Sequence, residues 1–114
     1  VAVDAAYELF IEEEILIHIV VISDLRSSSI KEFLPVIRSA GRVLTLEEGA
    51  LIGGWGGEMA SQIQSKVFDY LKLPIFRLGA EDMPIPSALP LEKEVLPTKE
   101  KVIKQVKKII SGGK

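Results

Sequence analysis

The spacing of apolar residues changes within the first 22 positions, from the spacing of a helix to a continuous apolar run. This change separates the first two predicted elements. Residues 1–14 carry apolar side chains three and four positions apart, the spacing of one face of an amphipathic helix. The positions on that face are Ala2, Ala5, Ala6, Leu9 and Phe10. Residues 15–22 form a continuous aliphatic run, interrupted only by His18. Such a run is typical of a strand covered on both faces, so we predict a helix followed by a buried strand.

Predicted helices and strands continue to alternate to the end of the chain. Ser29 and Glu32 have capping-box spacing, which predicts a helix over 29–40, kinked by Pro35 and ended by Gly41. Further on, the pattern predicts strands at 43–46 and 75–78, a helix at 57–71 and a last helix capped by Thr98. The inward positions of the last helix are Val102, Ile103, Val106, Ile109 and Ile110. Helices alternating with strands predict one α/β domain with a mainly parallel sheet between two helical layers.

Composition and charge narrow the class of protein. The 114 residues have a formal net charge of −2, and 47% of them are hydrophobic. Because the chain has no overall positive charge, it is not expected to bind nucleic acid. Because it has no cysteine, it has no disulfide and no thiolate metal site. The longest apolar run is too short to cross a membrane. The acidic first helix and the lysine-rich last one are interpreted as solvated faces that lie side by side, although the lysines could instead meet an acidic partner.

A glycine loop follows the strand at 43–46 and is the strongest candidate for a site. Glycines at a strand-to-helix junction can hold a phosphate on backbone N–H groups. The spacing here fits neither dinucleotide-binding nor P-loop motifs, and three carboxylates, Glu47, Glu48 and Glu58, surround the loop. Glu47 and Glu48 are adjacent on a strand and point to opposite faces, so they do not form a catalytic pair. Trp55 is expected to pack against a neighbouring surface.

Two other polar features are interpreted structurally. His18 is the only histidine, so we interpret it as a structural or edge residue rather than a general base or metal ligand. Ser27, Ser28 and Ser29 lack the nucleophile-elbow pattern and are interpreted as loop and cap residues. From the residues alone we therefore predict no catalytic, cofactor-binding or metal site.

Five segments in order resemble one family. They are RVLTLEEG from Arg42, GGWGGEM from Gly53, LPIFRLG from Leu73, PIP from Pro84, and the stretch from Leu91-Glu92 to Leu96-Pro97. Together they resemble the C-terminal domain of the β subunit of thiamine-diphosphate-dependent 2-oxo acid dehydrogenases, of the pyruvate and branched-chain type, within the transketolase superfamily. The resemblance covers nearly the whole chain.

The resemblance implies a three-layer α/β/α, transketolase C-terminal-like domain that carries no catalytic residue. It implies that the parent oxidoreductase, with thiamine diphosphate and Mg bound elsewhere, decarboxylates a 2-oxo acid and passes the acyl group to lipoamide. This domain would pack α and β subunits into an α2β2 assembly, in the cytoplasm or, in a eukaryote, the mitochondrial matrix. The interface residues expected are Glu47, Glu48, Gly53, Gly54, Trp55, Gly56, Gly57 and Lys72.

Some features depart from that family. Its strands precede the first helix, whereas this chain opens inside a helix, so residues 1–114 are expected to be an N-terminally truncated fragment. Members that dock the acyltransferase's subunit-binding domain tend to carry an acid where Lys72 stands, which disfavours that docking mode. Two alternatives stay open: the same domain of a transketolase or related thiamine enzyme, and a stand-alone ligand-binding module that uses the glycine loop.

Overall fold

The computed structural model describes residues 1–22, 30–80 and 96–113. Its elements are α1 (Ala2–Glu13), α2 (Leu34–Ala40), β1 (Leu44–Ala50), α3 (Trp55–Val67), a 3-10 turn (Phe68–Tyr70), β2 (Phe76–Ala80) and α4 (Lys99–Ile110). Strands β1 and β2 are parallel, with Leu44 opposite Phe76 and Leu46 opposite Leu78. Helices joined to parallel strands confirm the predicted α/β class.

The two faces of this sheet are covered by different helices. Val43 and Ile75 pack against a buried cluster from α2 and α3 and the residue Ile30, which comprises Ile30, Leu34, Ile37, Met59, Ile63 and Val67. Phe76, one position on, faces the other way and approaches Gly113 just beyond α4. On that side α1 packs against α4 and buries Ala5, Leu9, Val102 and Ile109. The predicted three-layer order is therefore present.

Helix α1 confirms its prediction in extent and in most of its apolar face. Ala5 and Leu9 are buried, whereas Phe10 is 53% exposed, so its assignment to the buried face was wrong. Glu14, the residue that follows the helix, has a left-handed φ of 56°. Backbone N–H groups of Glu14 and Ile15 close the helix by donating to the carbonyls of Phe10 and Leu9, each at 3.1 Å.

The strand predicted at 15–22 is not formed. These residues are neither helix nor strand, and several, among them Leu16 and Val21, are exposed. A strand exists only when a neighbour accepts and donates its backbone hydrogen bonds. The described sheet has two strands, β1 and β2, and the 15–22 run is separated from β1 by a cleft. The hydrophobic pattern of the run does not by itself supply a hydrogen-bonding partner.

Helix α2 starts later than the capping-box spacing predicts. Ser29 lies outside the described residues, Glu32 lies in a turn, and α2 begins at Leu34 with Pro35 in its first turn. Proline costs nothing there because the first N–H groups of a helix have no intrahelical acceptor. The predicted kink was therefore wrong. The predicted stop was right, since Gly41 follows α2 at a left-handed φ of 69°.

The central strand and helix both extend towards the glycine loop. Strand β1 continues to Ala50 and includes both glutamates, and α3 begins at Trp55 rather than Gly57. Helix α3 ends at Val67, after which a 3-10 turn continues to Tyr70. The loop proper is thus only residues 51–54.

Helix α4 confirms its predicted cap and the predicted position of the basic helix beside the acidic one. The Thr98 hydroxyl accepts a hydrogen bond from the Lys101 N–H at 3.2 Å, as its predicted cap. Lys99 pairs with Glu8 at 3.2 Å and Lys107 with Glu13 at 3.1 Å, so the basic and acidic helices do lie side by side. The Glu8 carboxylate, by its hydrogen bond and its charge, raises the pKa of the exposed Lys99.

Candidate functional site

An ion pair between β1 and β2 contacts the start of the glycine loop. Glu47 of β1 is buried, with its side chain 1% exposed, and Arg77 of β2 reaches it. The Arg77 Nη2 donates to Glu47 Oε1 at 3.2 Å and to the Leu51 carbonyl at 2.6 Å. Arg77 therefore holds together the strand and the first residue of the loop that follows it.

The other oxygen of Glu47 is turned towards the start of α3. The backbone N–H of Gly56, in the first turn of that helix, donates to Glu47 Oε2 at 3.4 Å. A helix N-terminus carries a partial positive charge, and a carboxylate neutralises it. The site where a phosphate would bind is consequently occupied by the protein's own carboxylate. Glu47 is therefore positioned as an electrostatic partner of the α3 dipole.

Glycine is required at position 56 because the carboxylate lies so close. A Cβ there would stand 2.7 Å from Glu47 Oε1 and 2.9 Å from the Thr45 hydroxyl. Neither distance is available to a real Cβ atom. The glycine thus permits backbone contact with a side chain of the same domain, where the sequence had raised the possibility of contact with a phosphate.

The remaining predicted residues divide between buried and exposed positions. Glu48 is exposed while Glu47 is buried, so alternation along β1 separates the pair as predicted. Gly53 is exposed, Gly54 and Gly57 are half-buried, and Gly56 is buried. Trp55 is half-buried and packs against the α2–α3 cluster of its own domain. It therefore supports the core as well as bordering the loop.

Lys72 lies at the opposite end of the sheet from the loop. Its backbone N–H donates to the Gly41 carbonyl at 2.7 Å, immediately before β1, and its side chain is exposed. The glycine loop follows the carboxyl end of the seven-residue β1, about 20 Å away along the strand. The structure does not bring Lys72 together with the other predicted interface residues.

Two residues of this site were missed from sequence. Arg77 is the charged residue inside a short apolar strand, and the signal was its pairing potential with Glu47 of the neighbouring strand. Ile52 is an aliphatic side chain at the tip of the loop and is 76% exposed. Its signal was an aliphatic side chain directly before the glycines of the loop.

Other candidate chemistry gains no support from the described residues. No group of three His, Asp or Glu side chains among them could hold a metal ion, and His18 is exposed. Ser27 to Ser29 and the proline-rich segment at 84–90 fall outside the described ranges. In the part of the chain that is described, no helix is long and apolar enough to cross a bilayer.

Comparison with known proteins decides the family. The model of the family "Transketolase, C-terminal domain" matches residues 1–102, nine-tenths of the chain. The chain belongs to the transketolase C-terminal domain family. The parallel β1–β2 pair between helical layers agrees with that membership.

Within this family the chain is similar to pyruvate dehydrogenase E1 component β subunits. It is 31% identical over 108 residues to the subunit of Rickettsia bellii and 32% identical over 108 residues to that of Rhizobium meliloti, covering 95% of this chain in both cases. It is 37% identical over 76 residues to the mitochondrial subunit of Caenorhabditis elegans, covering 66% of this chain. The chain spans 33%, 23% and 22% of the length of these relatives.

Proposed function

We propose that this transketolase C-terminal domain is the non-catalytic assembly domain of the β subunit of a thiamine-dependent 2-oxo acid dehydrogenase. The similarity to pyruvate dehydrogenase E1 β subunits over 95% of the chain supports this proposal. The chain would then be the C-terminal part of a longer subunit, because it spans only about a third of the Rickettsia bellii relative. The parent enzyme would act in the bacterial cytoplasm or the mitochondrial matrix.

The closure of the glycine loop by Glu47 is the observation that carries the non-catalytic role. A general base needs a free carboxylate within reach of a substrate. Glu47 is instead buried between Arg77 and the Gly56 N–H. Glu48 is exposed on the other face of the strand, so the two carboxylates do not converge. The same closure disfavours the stand-alone module, since an anion at the loop would have to displace Glu47.

The assembly surface proposed is the tip of the loop, defined by Glu48, Ile52 and Gly53, all of them exposed. Burying an exposed isoleucine against a partner contributes about 1.5–3 kcal/mol. Trp55 supports this tip from below by packing on the domain core. The partners are an α subunit and a second β subunit in an α2β2 assembly. Docking of the acyltransferase's subunit-binding domain at Lys72 is disfavoured by its positive charge.

Calorimetry with thiamine diphosphate and Mg²⁺ tests the proposal that the cofactor binds outside this domain. The isolated 114-residue chain should give no binding heat, since the cofactor and the chemistry are assigned to the rest of the enzyme. A complete E1 assembly containing the Rickettsia bellii subunit is the positive control and should bind. Saturable cofactor binding by the isolated chain would contradict the proposal.

A further inference from the structure

Helix α1 carries apolar side chains on two opposite faces. Ala5 and Leu9, which are 0% and 1% exposed, form the inner face that packs against α4. At 3.6 residues per turn, Tyr7 and Leu9 point to nearly opposite sides of the helix. The outer face is the stripe of large apolar side chains around Tyr7, which are 53–70% exposed: Val3, Tyr7, Phe10 and Ile11.

The spacing of the outer face is that of a helix-docking surface. Its positions follow one another at intervals of four, three and one residues, the pattern by which one helix anchors another. A helix at the surface of a domain normally has a single apolar stripe, whereas a helix that is apolar on several sides is covered on several sides. Single exposed apolar residues are common on proteins, but a contiguous stripe marks an interaction site.

The charged side chains around the outer face are negative. Residues 1–14 contain five carboxylates and no lysine or arginine. Asp4 follows Val3 at one end of the face, and Glu14 lies one turn beyond Phe10 at the other end. Both carboxylates are exposed. Because docking surfaces select partners of opposite charge, a partner for this face combines an apolar stripe with lysine or arginine.

Two other occupants match this chemistry less well. A second copy of the chain would offer either its own α1, which repeats the same negative charges, or its lysine-rich α4. In α4 the apolar residues Val102 and Ile109 are already buried, and Lys99 and Lys107 are already paired with carboxylates of α1. An anionic membrane surface attracts basic segments and would repel the five carboxylates.

We propose that the outer face of α1 docks a basic amphipathic helix of another protein. The apolar stripe of that helix packs on Tyr7 and its neighbours, and its lysines or arginines meet Asp4 and Glu14. Helix α1 belongs to the layer that it forms with α4, whereas the loop tip precedes α3 in the other layer. This surface is therefore additional to the assembly surface proposed above, and it does not depend on the dehydrogenase assignment.

Three fluorescein-labelled peptides of about 18 residues, long enough for five helical turns, test the chemistry of the partner. The first has leucines along one helical face and lysines elsewhere, the second has the same composition without an apolar face, and the third replaces each lysine by glutamate. Fluorescence anisotropy at low salt measures their binding to the 114-residue chain. The first peptide should bind saturably and the other two at least about tenfold more weakly. No saturable binding by the first peptide, or equal binding by either of the others, would overturn the proposal.

Variants of exposed residues, which circular dichroism should show to be folded, locate the binding surface. Tyr7→Gln should weaken binding of the leucine–lysine peptide by at least about tenfold, because it removes the aromatic side chain at the centre of the stripe. Phe68→Gln, which removes an equally exposed aromatic side chain outside α1, should leave binding unchanged. Asp4→Lys should also weaken binding, whereas the matched Asp69→Lys should not. Equal affinities of the Tyr7→Gln and Phe68→Gln variants would contradict the assignment of the surface to α1.

Two measurements without peptide distinguish the other occupants. Sedimentation velocity reports self-association of the chain, and cosedimentation with phosphatidylglycerol vesicles reports membrane binding. The chain should remain monomeric and should not sediment with the vesicles. A dimer that Tyr7→Gln abolishes would assign the outer face to a second copy, and vesicle binding that Tyr7→Gln abolishes would assign it to a membrane. Either result would overturn the proposal.

Discussion

The contact that defines the glycine loop joins two residues thirty positions apart. Arg77 bridges the buried Glu47 carboxylate and the Leu51 carbonyl, and Glu47 in turn meets the first turn of α3. Removing one member of a buried pair leaves an uncompensated charge, which costs more than the pair itself contributes. The closed state of the loop therefore depends on Arg77.

Replacing Arg77 tests this dependence. Arg77→Gln should lower the free energy of unfolding by about 3 kcal/mol, near the lower end for a buried pair because the Arg77 side chain is 28% exposed. The double variant Arg77→Gln with Glu47→Gln should lose less than Arg77→Gln alone, since no charge is then left buried. Urea denaturation of both variants measures the two values. A single variant as stable as the double would show that Glu47 is solvated without Arg77.

Local pattern predicted half of this site. Alternation along β1 alone separates buried Glu47 from exposed Glu48, because adjacent strand residues point to opposite faces. The role of Arg77 was not available from sequence, since it depends on β2 lying beside β1 in the register that places Thr45 opposite Arg77. Such a register is a property of the assembled sheet.

Helix ends were predicted well where a capping residue in the sequence marks them. Strand pairing was predicted poorly because it depends on a neighbouring segment. Helix α4 begins at its predicted cap, Thr98, and α2 ends at its predicted stop, Gly41. Residues 15–22 carry a strong strand pattern but form no strand, because hydrogen-bonding partners are not encoded in the run itself. Helix α3 takes in Trp55 and Gly56, which were predicted to lie in the loop, because Glu47 of β1 accepts a hydrogen bond from the Gly56 N–H.

Replacing Thr98 tests the cap of α4. Thr98→Ala removes the acceptor for the Lys101 N–H and should lower the free energy of unfolding by about 1 kcal/mol. Thr98→Ser keeps a hydroxyl at the same position and should be nearly neutral. Thermal unfolding followed by circular dichroism compares them. Equal losses in the two variants would mean that the methyl group of Thr98, rather than its hydroxyl, stabilises this end of α4.

As a whole the molecule has one closed edge and one open cleft. At the carboxyl edge of the sheet, Glu47 contacts both Arg77 and the Gly56 N–H, and Ile52 at the tip of the loop is exposed. An apolar cleft lies between β1 and the 15–22 run. The similarity to E1 β subunits about three to four times its length supports the proposal that the domain functions as part of a larger protein.

Association of a chimeric β subunit with the α subunit tests the assembly role proposed for the loop tip. The chain replaces the matching segment of the Rickettsia bellii subunit, the chimera is mixed with the α subunit, and sedimentation velocity measures assembly. The chimera should form an α2β2 complex. Ile52→Asp at the loop tip should weaken association by at least about tenfold, because it would place a charge in the proposed interface. Gln64→Asp, an exposed position in the middle of α3, should leave association unchanged. An Ile52→Asp chimera that assembles as tightly as its parent would contradict the assembly role assigned to this loop.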